Sequence, residues 1–189
     1  VVPDLNRMLA QAGERYFGCE PLFVGPGVRT GMPILYENPH EVGADRIVNA
    51  VAALHRFGAP VIVLDFGTAT TLDVVSARGE YLGGVIAPGI GVSAEALFTR
   101  AARLSRVDLR RPQRVIGRTT EESVQSGLFH GYASLVEGLV ARVREDLGSP
   151  ARVVATGGFA PVLEEALPSL EAVDPHLTLH GLRLVWERN

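Results

Sequence analysis

The sequence predicts a mixed α/β domain in which a sheet is flanked by helices. VIVLD (61–65) is an almost continuous apolar run, which is typical of a strand buried on both faces. Two more strand patterns follow it directly, TLDVVSA (71–77) and EYLGGVIA (80–87), and a long helical pattern covers 120–147. Because three strands stand together before the helices, the order favours a mixed sheet over a regular βαβ array.

The segments before this sheet are predicted to contain two helices and a short strand, with a loop-rich stretch over 31–45. Residues 3–18 carry apolar side chains near helical spacing, and PLFVGPG (21–27) is predicted as a short strand that ends in a Gly-Pro turn. A helix is predicted over 45–57, and Gly58-Ala59-Pro60 ends it. Its apolar stripe comprises Ile47, Val48, Val51, Leu54 and His55.

Helices and one more strand follow the three strands. Arg78-Gly79 is predicted as the tight turn between the second and third strands, and a helix is predicted over 93–104. Thr119 and Glu122 are predicted to form a capping box at the start of the long helix. The predicted buried face of that helix comprises Val124, Leu128, Tyr132, Leu135, Val136, Leu139 and Val143. The remaining segments are predicted as a strand over 152–156, a turn at Gly157-Gly158, a helix over 161–168, a strand-like alternation over 177–181 and a helix over 182–188.

Composition excludes several classes of protein. The 189 residues are 47% hydrophobic and 21% charged, as in ordinary globular domains, and no apolar run reaches the roughly 18–20 residues of a membrane helix. All 18 basic residues are arginine, so mechanisms that need a lysine, such as the P-loop, are excluded. The single Cys19 allows no internal disulfide and indicates a reducing, cytoplasmic setting. A net charge of -3 gives no general attraction to nucleic acid.

DFGTATT (65–71) is a candidate phosphate-binding turn. Asp65 at the mouth of a buried strand is costly unless a cation or hydrogen-bond donors compensate its charge. Gly67 lets the backbone approach a ligand. The hydroxyls of Thr68, Thr70 and Thr71 can bond phosphate oxygens together with the turn amides. A simple hairpin turn with strand-favouring threonines would explain the same residues.

GADR (43–46) lies at the start of the predicted helix over 45–57. There the helix dipole stabilises the Asp45 carboxylate, and Gly43 leaves room for a ligand. A carboxylate so placed could accept a proton from a substrate alcohol, which is the task of a kinase base. The alternative is that Asp45 caps the helix and Arg46 is a solvated charge.

Two further segments carry weaker signals. ATGG (155–158) ends a strand in Gly-Gly before a helix, which commonly supports a nucleotide but is equally typical of a tight turn. The run from Arg100 to Arg118 contains seven arginines, which could bind phosphates or nucleic acid. Because no aromatic residue is interleaved for base stacking, a solvated helix face and loop is favoured.

The order and spacing of these motifs resemble the type III pantothenate kinases. This is the Bvg accessory factor-like family within the acetate and sugar kinase/Hsc70/actin superfamily. The resemblance extends over essentially the whole chain. The segments that carry it are Tyr36 with GADR (43–46), DFGTATT (65–71), GG-IAPGI (83–90), TTEESVQSG (119–127) and ATGGFA (155–160). It implies an actin-like, ribonuclease H-like duplicated fold, in which 1–57 belongs to the N-terminal half and 58–189 forms the C-terminal half.

The resemblance also implies roles for individual residues. Asp45 matches the general base, and Asp65 matches the ligand of a monovalent cation, K⁺ or NH₄⁺. The positions that match pantothenate contacts are Tyr36, Gly43, Ala44, Asp45, Arg46 and Thr120. The positions that match the ATP side are Gly67, Thr68, Gly157 and Gly158, with Mg²⁺ accompanying the nucleotide.

The function that the resemblance implies is transfer of the ATP γ-phosphate to the 4′-hydroxyl of pantothenate, the first step of coenzyme A biosynthesis. It implies a cytoplasmic homodimer with pantothenate bound near the subunit interface, and the helix over 120–147 is the candidate for part of that interface. Neither nucleic acid nor a membrane is expected as a partner.

The N-terminus departs from the pattern of the family. Family members begin with a strand and an Asp-x-Gly-Asn-Thr loop, and nothing like it precedes VVPDLN (1–6). We therefore expect the first half to be incomplete and DFGTATT to be the second of two phosphate hairpins. Two alternatives stay open: a non-catalytic regulatory or scaffold paralogue (or an inactive fragment), and another small-molecule kinase of the superfamily.

Overall fold

Six helices and five strands make up the structure, a computed structural model that describes residues 5–101, 104 and 106–189. The strands are β1 (Val61–Phe66), β2 (Ala69–Val75), β3 (Tyr81–Pro88), β4 (Arg152–Thr156) and β5 (Ala172–Val173). The helices are α1 (Asn6–Ala12, continued by a π-helical turn over Gly13–Phe17), α2 (Ala44–Phe57), α3 (Ile90–Arg100), α4 (Thr120–Leu147), α5 (Ala160–Leu163, continued by a 3-10 turn over Glu164–Ala166) and α6 (Leu177–Trp186). A further 3-10 turn covers Pro39–Glu41.

One mixed sheet organises these elements, with the strand order β3-β2-β1-β4-β5. Strand β1 runs antiparallel to β2 and parallel to β4, with Asp65 opposite Thr71 on one side and Thr156 on the other. Ala69 of β2 lies opposite Pro88 of β3, and these strands are antiparallel. The carboxyl ends of β1, β3 and β4 and the amino end of β2 therefore share one edge of the sheet.

Helices cover both faces of the sheet, so the core has two parts. Because side chains alternate along a strand, Ile62 and Leu64 pack towards α4 and α5, whereas Val61 and Val63 pack towards α2 and α6. All four of these side chains are fully buried. The predictions of a strand buried on both faces and of a mixed α/β sheet flanked by helices are both confirmed.

The two helices that frame the candidate site form where the sequence predicts them. Helix α2 begins at Ala44, and Gly58, with a φ of 79°, ends it. At the start of α4, the Thr119 side chain accepts a hydrogen bond of 3.1 Å from the Glu122 amide. The Glu122 carboxylate accepts one of 2.7 Å from the Arg118 amide instead of the Thr119 amide, so the reciprocal bond of the capping box is shifted by one residue.

Two predicted strands are wrong. Residues 21–27 form no strand, although Ile34 makes a single parallel bridge to Tyr81 a few residues later. Residues 177–181 belong to α6. The buried side of this helix has residues at helical spacing, namely Leu177, Gly181, Leu184 and Val185. Five residues of apparent alternation were too few to distinguish the two periods, and the helical one continues to Trp186. The short β5 was not predicted.

Some predicted helix details also differ. In the helix predicted over 3–18, the side chains of Met8, Leu9 and Tyr16 are exposed. Pro3 and Asp4 of this predicted span lie outside the described residues. Helix α3 starts at Ile90 and ends at Arg100, so Leu104 is not helical, while residues 102 and 103 of the predicted span 93–104 lie outside the described residues.

In α4, Leu135 is exposed, and Phe129 and Val140, which were not predicted to face the core, are buried. Within the described parts of the chain, no helix is long and apolar enough to cross a membrane. The division into halves 1–57 and 58–189 stays a prediction.

Candidate active site at one edge of the sheet

The DFGTATT turn lies at the shared edge of the sheet. It connects β1 to β2, and the Gly67 amide donates a hydrogen bond of 3.1 Å to the Ala69 carbonyl. The Thr68 carbonyl accepts one of 3.0 Å from Gly89, which follows β3. Gly67 and Thr68 are exposed. The tip of the turn is thus held by the neighbouring strand and remains open to a ligand.

Asp65 lies at the base of this turn, near the end of β1, and is half-buried. Its Oδ2 accepts a hydrogen bond of 3.0 Å from the Asn49 amide group of α2. Burial raises the pKa of Asp65 above its ordinary value, the hydrogen bond from Asn49 lowers it, and the charges of Asp45 and Asp73 raise it. A cation at Asp65 would relieve both the burial cost and the repulsion.

The turn after β4 closes on the same carboxylate. Gly157 has a φ of 92°, and a Cβ there would lie 2.7 Å from Asp65 Oδ1 and 2.6 Å from the backbone nitrogen of Phe66. Only glycine can therefore bring the β4 turn this close to β1. Gly158 is exposed, with open space around the position of a Cβ. The glycine pair thus borders Asp65 on one side and solvent on the other.

Asp45 lies in the first turn of α2, and a Cβ on Gly43 would lie 2.5 Å from its Oδ1. Gly43 is the N-cap residue and makes no side-chain cap, and Asp45 Oδ1 accepts a hydrogen bond of 2.8 Å from the Arg46 amide. Burial is the main cause of the raised pKa of Asp65, and the charge of Asp45 adds to it. Ala44, next to it, lines an apolar cavity of about 360 Å³ together with His40 and residues 24–28.

Arg46 is buried, and it is not the solvated charge of the alternative interpretation. Its Nε donates a hydrogen bond of 2.7 Å to Asp73 Oδ1, and the Asp73 side chain is fully buried. Tyr81 and Thr71 donate their hydroxyls to the same carboxylate, at 2.8 Å and 3.1 Å. The Nη2 of Arg46 is buried without a hydrogen-bond partner among the described residues. Such a group is costly, so this nitrogen is suited to an acceptor supplied by a ligand.

Burial and the charge of Arg46 determine the pKa shifts in the cluster formed by Arg46, Asp73, Tyr81 and Thr71. Burial raises the pKa of Asp73, while the charge of Arg46 and the hydrogen bonds from Tyr81, Thr71 and Arg46 lower it. Burial and the Asp73 carboxylate raise the pKa of the Tyr81 hydroxyl, which therefore stays protonated and donates. Sequence reasoning missed Asp73, Tyr81 and Asn49. A carboxylate inside the apolar strand pattern TLDVV was the available signal, since a buried carboxylate requires donors.

Tyr36 joins this cluster by packing. Its ring centroid lies 6.5 Å from that of Tyr81, at an angle of 46°. A Cβ on Gly83 of β3 would approach the Tyr36 ring to 3.1 Å, so the ring packs closely against the strand at this point. The structure thus brings Tyr36, Arg46 and Asp45 to one side of the sheet edge.

Thr120 lies elsewhere. It lines an open cleft of about 810 Å³ between α3 and the start of α4, with Leu97 and Val124 among the other lining residues. None of the other predicted site residues lines this cleft. The contact between Thr120 and pantothenate stays a prediction.

Three of the seven arginines in the run from Arg100 to Arg118 form ion pairs with carboxylates. Arg106, Arg111 and Arg110 form ion pairs with Glu95, Glu165 and Glu121, and these side chains are exposed. Arg103 lies outside the described residues. This pattern agrees with the solvated helix face and loop that the sequence favoured.

The site carries an excess of negative charge. Burial, and then the charges of Asp45 and Asp73, raise the pKa of Asp65, whereas the guanidinium of Arg46 pairs with Asp73. Within residues 5–101, 104 and 106–189, no group of three or more His, Cys, Asp or Glu side chains could hold a metal ion. A cation at Asp65 would therefore need further oxygen ligands from water, the backbone or nucleotide phosphates, which is how Mg²⁺ usually binds in kinases.

Comparison with known proteins identifies the family of the chain. Residues 1–142 match the sequence profile of the family described as type III pantothenate kinase. The chain is 58% identical to the type III pantothenate kinase of Koribacter versatilis, covering 100% of the chain and 69% of the relative. It is 56% identical to that of Myxococcus xanthus and 53% identical to that of Moorella thermoacetica, covering 100% of the chain and 74% of each relative.

Solved structures support the fold. A conserved Baf family transcriptional activator from Campylobacter jejuni superposes with a TM-score of 0.56 at 21% identity, over 84% of this chain and 68% of that one. The ethanolamine utilization protein EutJ from Carboxydothermus hydrogenoformans superposes with a TM-score of 0.52 at 16% identity, over 96% and 72%. The predicted actin-like fold class is thereby confirmed.

Proposed function

The chain belongs to the type III pantothenate kinase family, and from this we propose that Asp45 is its catalytic base. The reaction of the family is ATP-dependent phosphorylation of pantothenate, which begins coenzyme A biosynthesis. The observation that supports Asp45 is its place in the first turn of α2, half-buried and within reach of the charge of Asp65. A carboxylate there can accept the 4′-hydroxyl proton while that oxygen attacks the γ-phosphate of ATP.

Pantothenate is proposed to bind along the GADR segment. The unpaired Nη2 of Arg46 is available to a polar oxygen of the substrate, while Asp73 keeps the guanidinium in place. Tyr36 offers a ring and a hydroxyl beside this cluster, and Gly43 and Ala44 allow close approach to the helix start. The apolar cavity next to Ala44 adds a hydrophobic wall.

ATP is proposed to bind across the turns at the sheet edge. The exposed Gly67 and Thr68 are suited to the phosphates, and Gly157 and Gly158 to the adenosine side. Asp65 is proposed to bind a monovalent cation, K⁺ or NH₄⁺, and Mg²⁺ is proposed to accompany the phosphates. When bound, these cations offset the negative charge of the phosphates and of the three carboxylates.

Asp45→Asn tests the assignment of the base. In the full-length protein we expect turnover to fall by at least about 10³-fold, because an amide cannot accept the proton, while pantothenate still binds. Steady-state phosphorylation of pantothenate measures turnover, and isothermal titration calorimetry with pantothenate measures binding. Glu41→Gln is the matched control, since Glu41 is exposed in the preceding 3-10 turn. Near-normal turnover by Asp45→Asn would overturn the assignment.

The functional unit is proposed to be a cytoplasmic homodimer formed through α4. The exposed side of this helix carries Gly127, Gly131 and Gly138 with open space around each, beside the exposed Leu135. Small residues at this spacing let a second helix approach closely. Thr120, at the start of the same helix, is then proposed to contact pantothenate held by the partner copy.

Gly131→Glu tests this interface. Glutamate at this exposed position has room within one chain but would block close helix packing, so we expect sedimentation velocity to show monomers. Gly131→Ala keeps the position small and should remain dimeric. A dimeric Gly131→Glu protein would refute the α4 interface.

A further inference from the structure

Asn49 connects Asp65 to the C-terminal helix. Its side chain is on α2 and only 1% of the residue is exposed. Its Nδ2 donates a hydrogen bond of 3.0 Å to Asp65 Oδ2, and its Oδ1 accepts one of 2.7 Å from the hydroxyl of Thr178 on α6. Three elements, α6, α2 and β1, are thus joined through two hydrogen bonds.

The charge of Asp65 sets which group donates in each of these two hydrogen bonds. An ionised Asp65 accepts hydrogen bonds and donates none, so Asn49 must present its Nδ2 to Asp65 and its Oδ1 to Thr178. The Thr178 hydroxyl must then donate. Without the Thr178 hydroxyl, no donor on the α6 side would hold the Oδ1 of Asn49 there. The amide group could then turn over, which would place its oxygen against the Asp65 carboxylate.

The chain of hydrogen bonds also selects which oxygen of Asp65 is free. Asn49 binds Oδ2, whereas Oδ1 lies towards the two glycine turns, 2.7 Å from the position of a Cβ on Gly157 and 3.6 Å from one on Gly67. These are the turns at which ATP is proposed to bind. The carboxylate is therefore held by one oxygen and presents the other to the nucleotide side of the site.

Close packing keeps Thr178 in place. Gly181, one turn after Thr178, lies against the backbone of α2, where a Cβ would be 2.0 Å from the Val48 carbonyl oxygen. Val48 precedes Asn49 directly, so this contact fixes the separation of the two helices where the hydrogen bond crosses between them. Both Thr178 and Gly181 follow the segment 1–142 that matches the family profile.

We propose that Thr178 and Asn49 are positioning residues, which orient Asp65 so that its Oδ1 ligates the monovalent cation. This inference rests on the proposed cation role of Asp65 and adds a contribution of the C-terminal helix to it. Residues that orient a metal ligand in this way typically affect cation affinity 10- to 100-fold when removed.

The experiment compares Thr178→Val with Thr178→Ser in the full-length protein. Valine has the shape of threonine without the donor, and serine retains the hydroxyl. Pantothenate phosphorylation is measured against KCl, with choline chloride keeping the ionic strength constant. The second readout is the rise in Tm that KCl produces over choline chloride in the presence of Mg-ADP.

For Thr178→Val we expect the K⁺ concentration for half-maximal activity to rise about tenfold, and the K⁺-dependent rise in Tm to shrink at a fixed KCl concentration. Thr178→Ser should stay within about twofold of the wild type. The KM for pantothenate should stay unchanged in both. Thr178→Ala, which removes the hydroxyl and also a methyl group, repeats the test if the valine variant folds poorly.

Each outcome separates the two proposals. If the wild type and Thr178→Val show the same K⁺ dependence of activity and Tm, the positioning role is refuted. The cation role of Asp65 would then still stand. Equal losses in Thr178→Val and Thr178→Ser would show that packing, and not the hydroxyl, matters, which also refutes it. A wild-type protein that catalyses without any response to K⁺ would refute the cation role itself.

Discussion

Replacing Arg46 with methionine should destabilise the protein strongly, because the Asp73 carboxylate would remain buried without its cation. The atoms Arg46 Nε and Asp73 Oδ1 lie 2.7 Å apart, and the two side chains are 10% and 0% exposed. Removing one partner of such a pair lowers the free energy of unfolding by about 3–5 kcal/mol. With a urea dependence of about 2 kcal/mol per M, the denaturation midpoint should fall by roughly 2 M.

The loss of stability in Arg46→Met should be larger at neutral pH than at acid pH. Burial raises the pKa of Asp73, and loss of the lowering effect of Arg46 should raise it further. A carboxyl with a raised pKa in the folded state lowers stability only where the unfolded chain has lost its proton, so the cost is full near pH 7 and disappears below about pH 4. Urea denaturation followed by circular dichroism at about pH 7 and pH 4.5 measures this change.

The double variant Arg46→Met/Asp73→Asn is the matched control. It removes the charge left behind. The amide oxygen can still accept from Tyr81, and the amide nitrogen can donate to the hydroxyl of Thr71, so most of the lost stability should return. Pantothenate phosphorylation should stay low, since the proposed contact from Arg46 remains absent. A loss below about 1 kcal/mol in the single variant, or a double variant no more stable than the single, would refute the reasoning.

Two more substitutions test the sheet edge. Asp65→Asn should raise the Tm at pH 7 in choline chloride. Burial, followed by the neighbouring carboxylates, raises the pKa of Asp65 and makes its ionised form costly in the folded protein. The gain in Tm should disappear below about pH 4, where Asp65 is protonated in both the folded and the unfolded protein. An unchanged Tm at pH 7 would contradict this. Gly157→Ala should cost at least about 1–3 kcal/mol, because its φ is 92° and its Cβ would lie 2.6 Å from the Phe66 backbone. Gly158→Ala, which has open space, should stay within about 0.5 kcal/mol in the same urea denaturation, and equal losses would refute the argument.

Much of the fold could be predicted from local patterns. The apolar run 61–65, the helix that begins within GADR and the capped start of α4 each carry their signal within a few residues. The error at 177–181 arose because five alternating residues fit a strand as well as a helix, and packing against α2 decides between them. The strand predicted over 21–27 has suitable residues but forms no ladder, and a strand requires a partner.

The sequence by itself determined the family and the order of the motifs, because these depend on residue types at fixed spacing. Through the family resemblance it also implied Asp45 as the candidate base. Only the tertiary structure decided what surrounds them. Arg46 meets Asp73 across 27 residues, and Asn49 meets Thr178 across 129. Such partners are chosen by where the helices settle on the sheet, and no local period encodes that position.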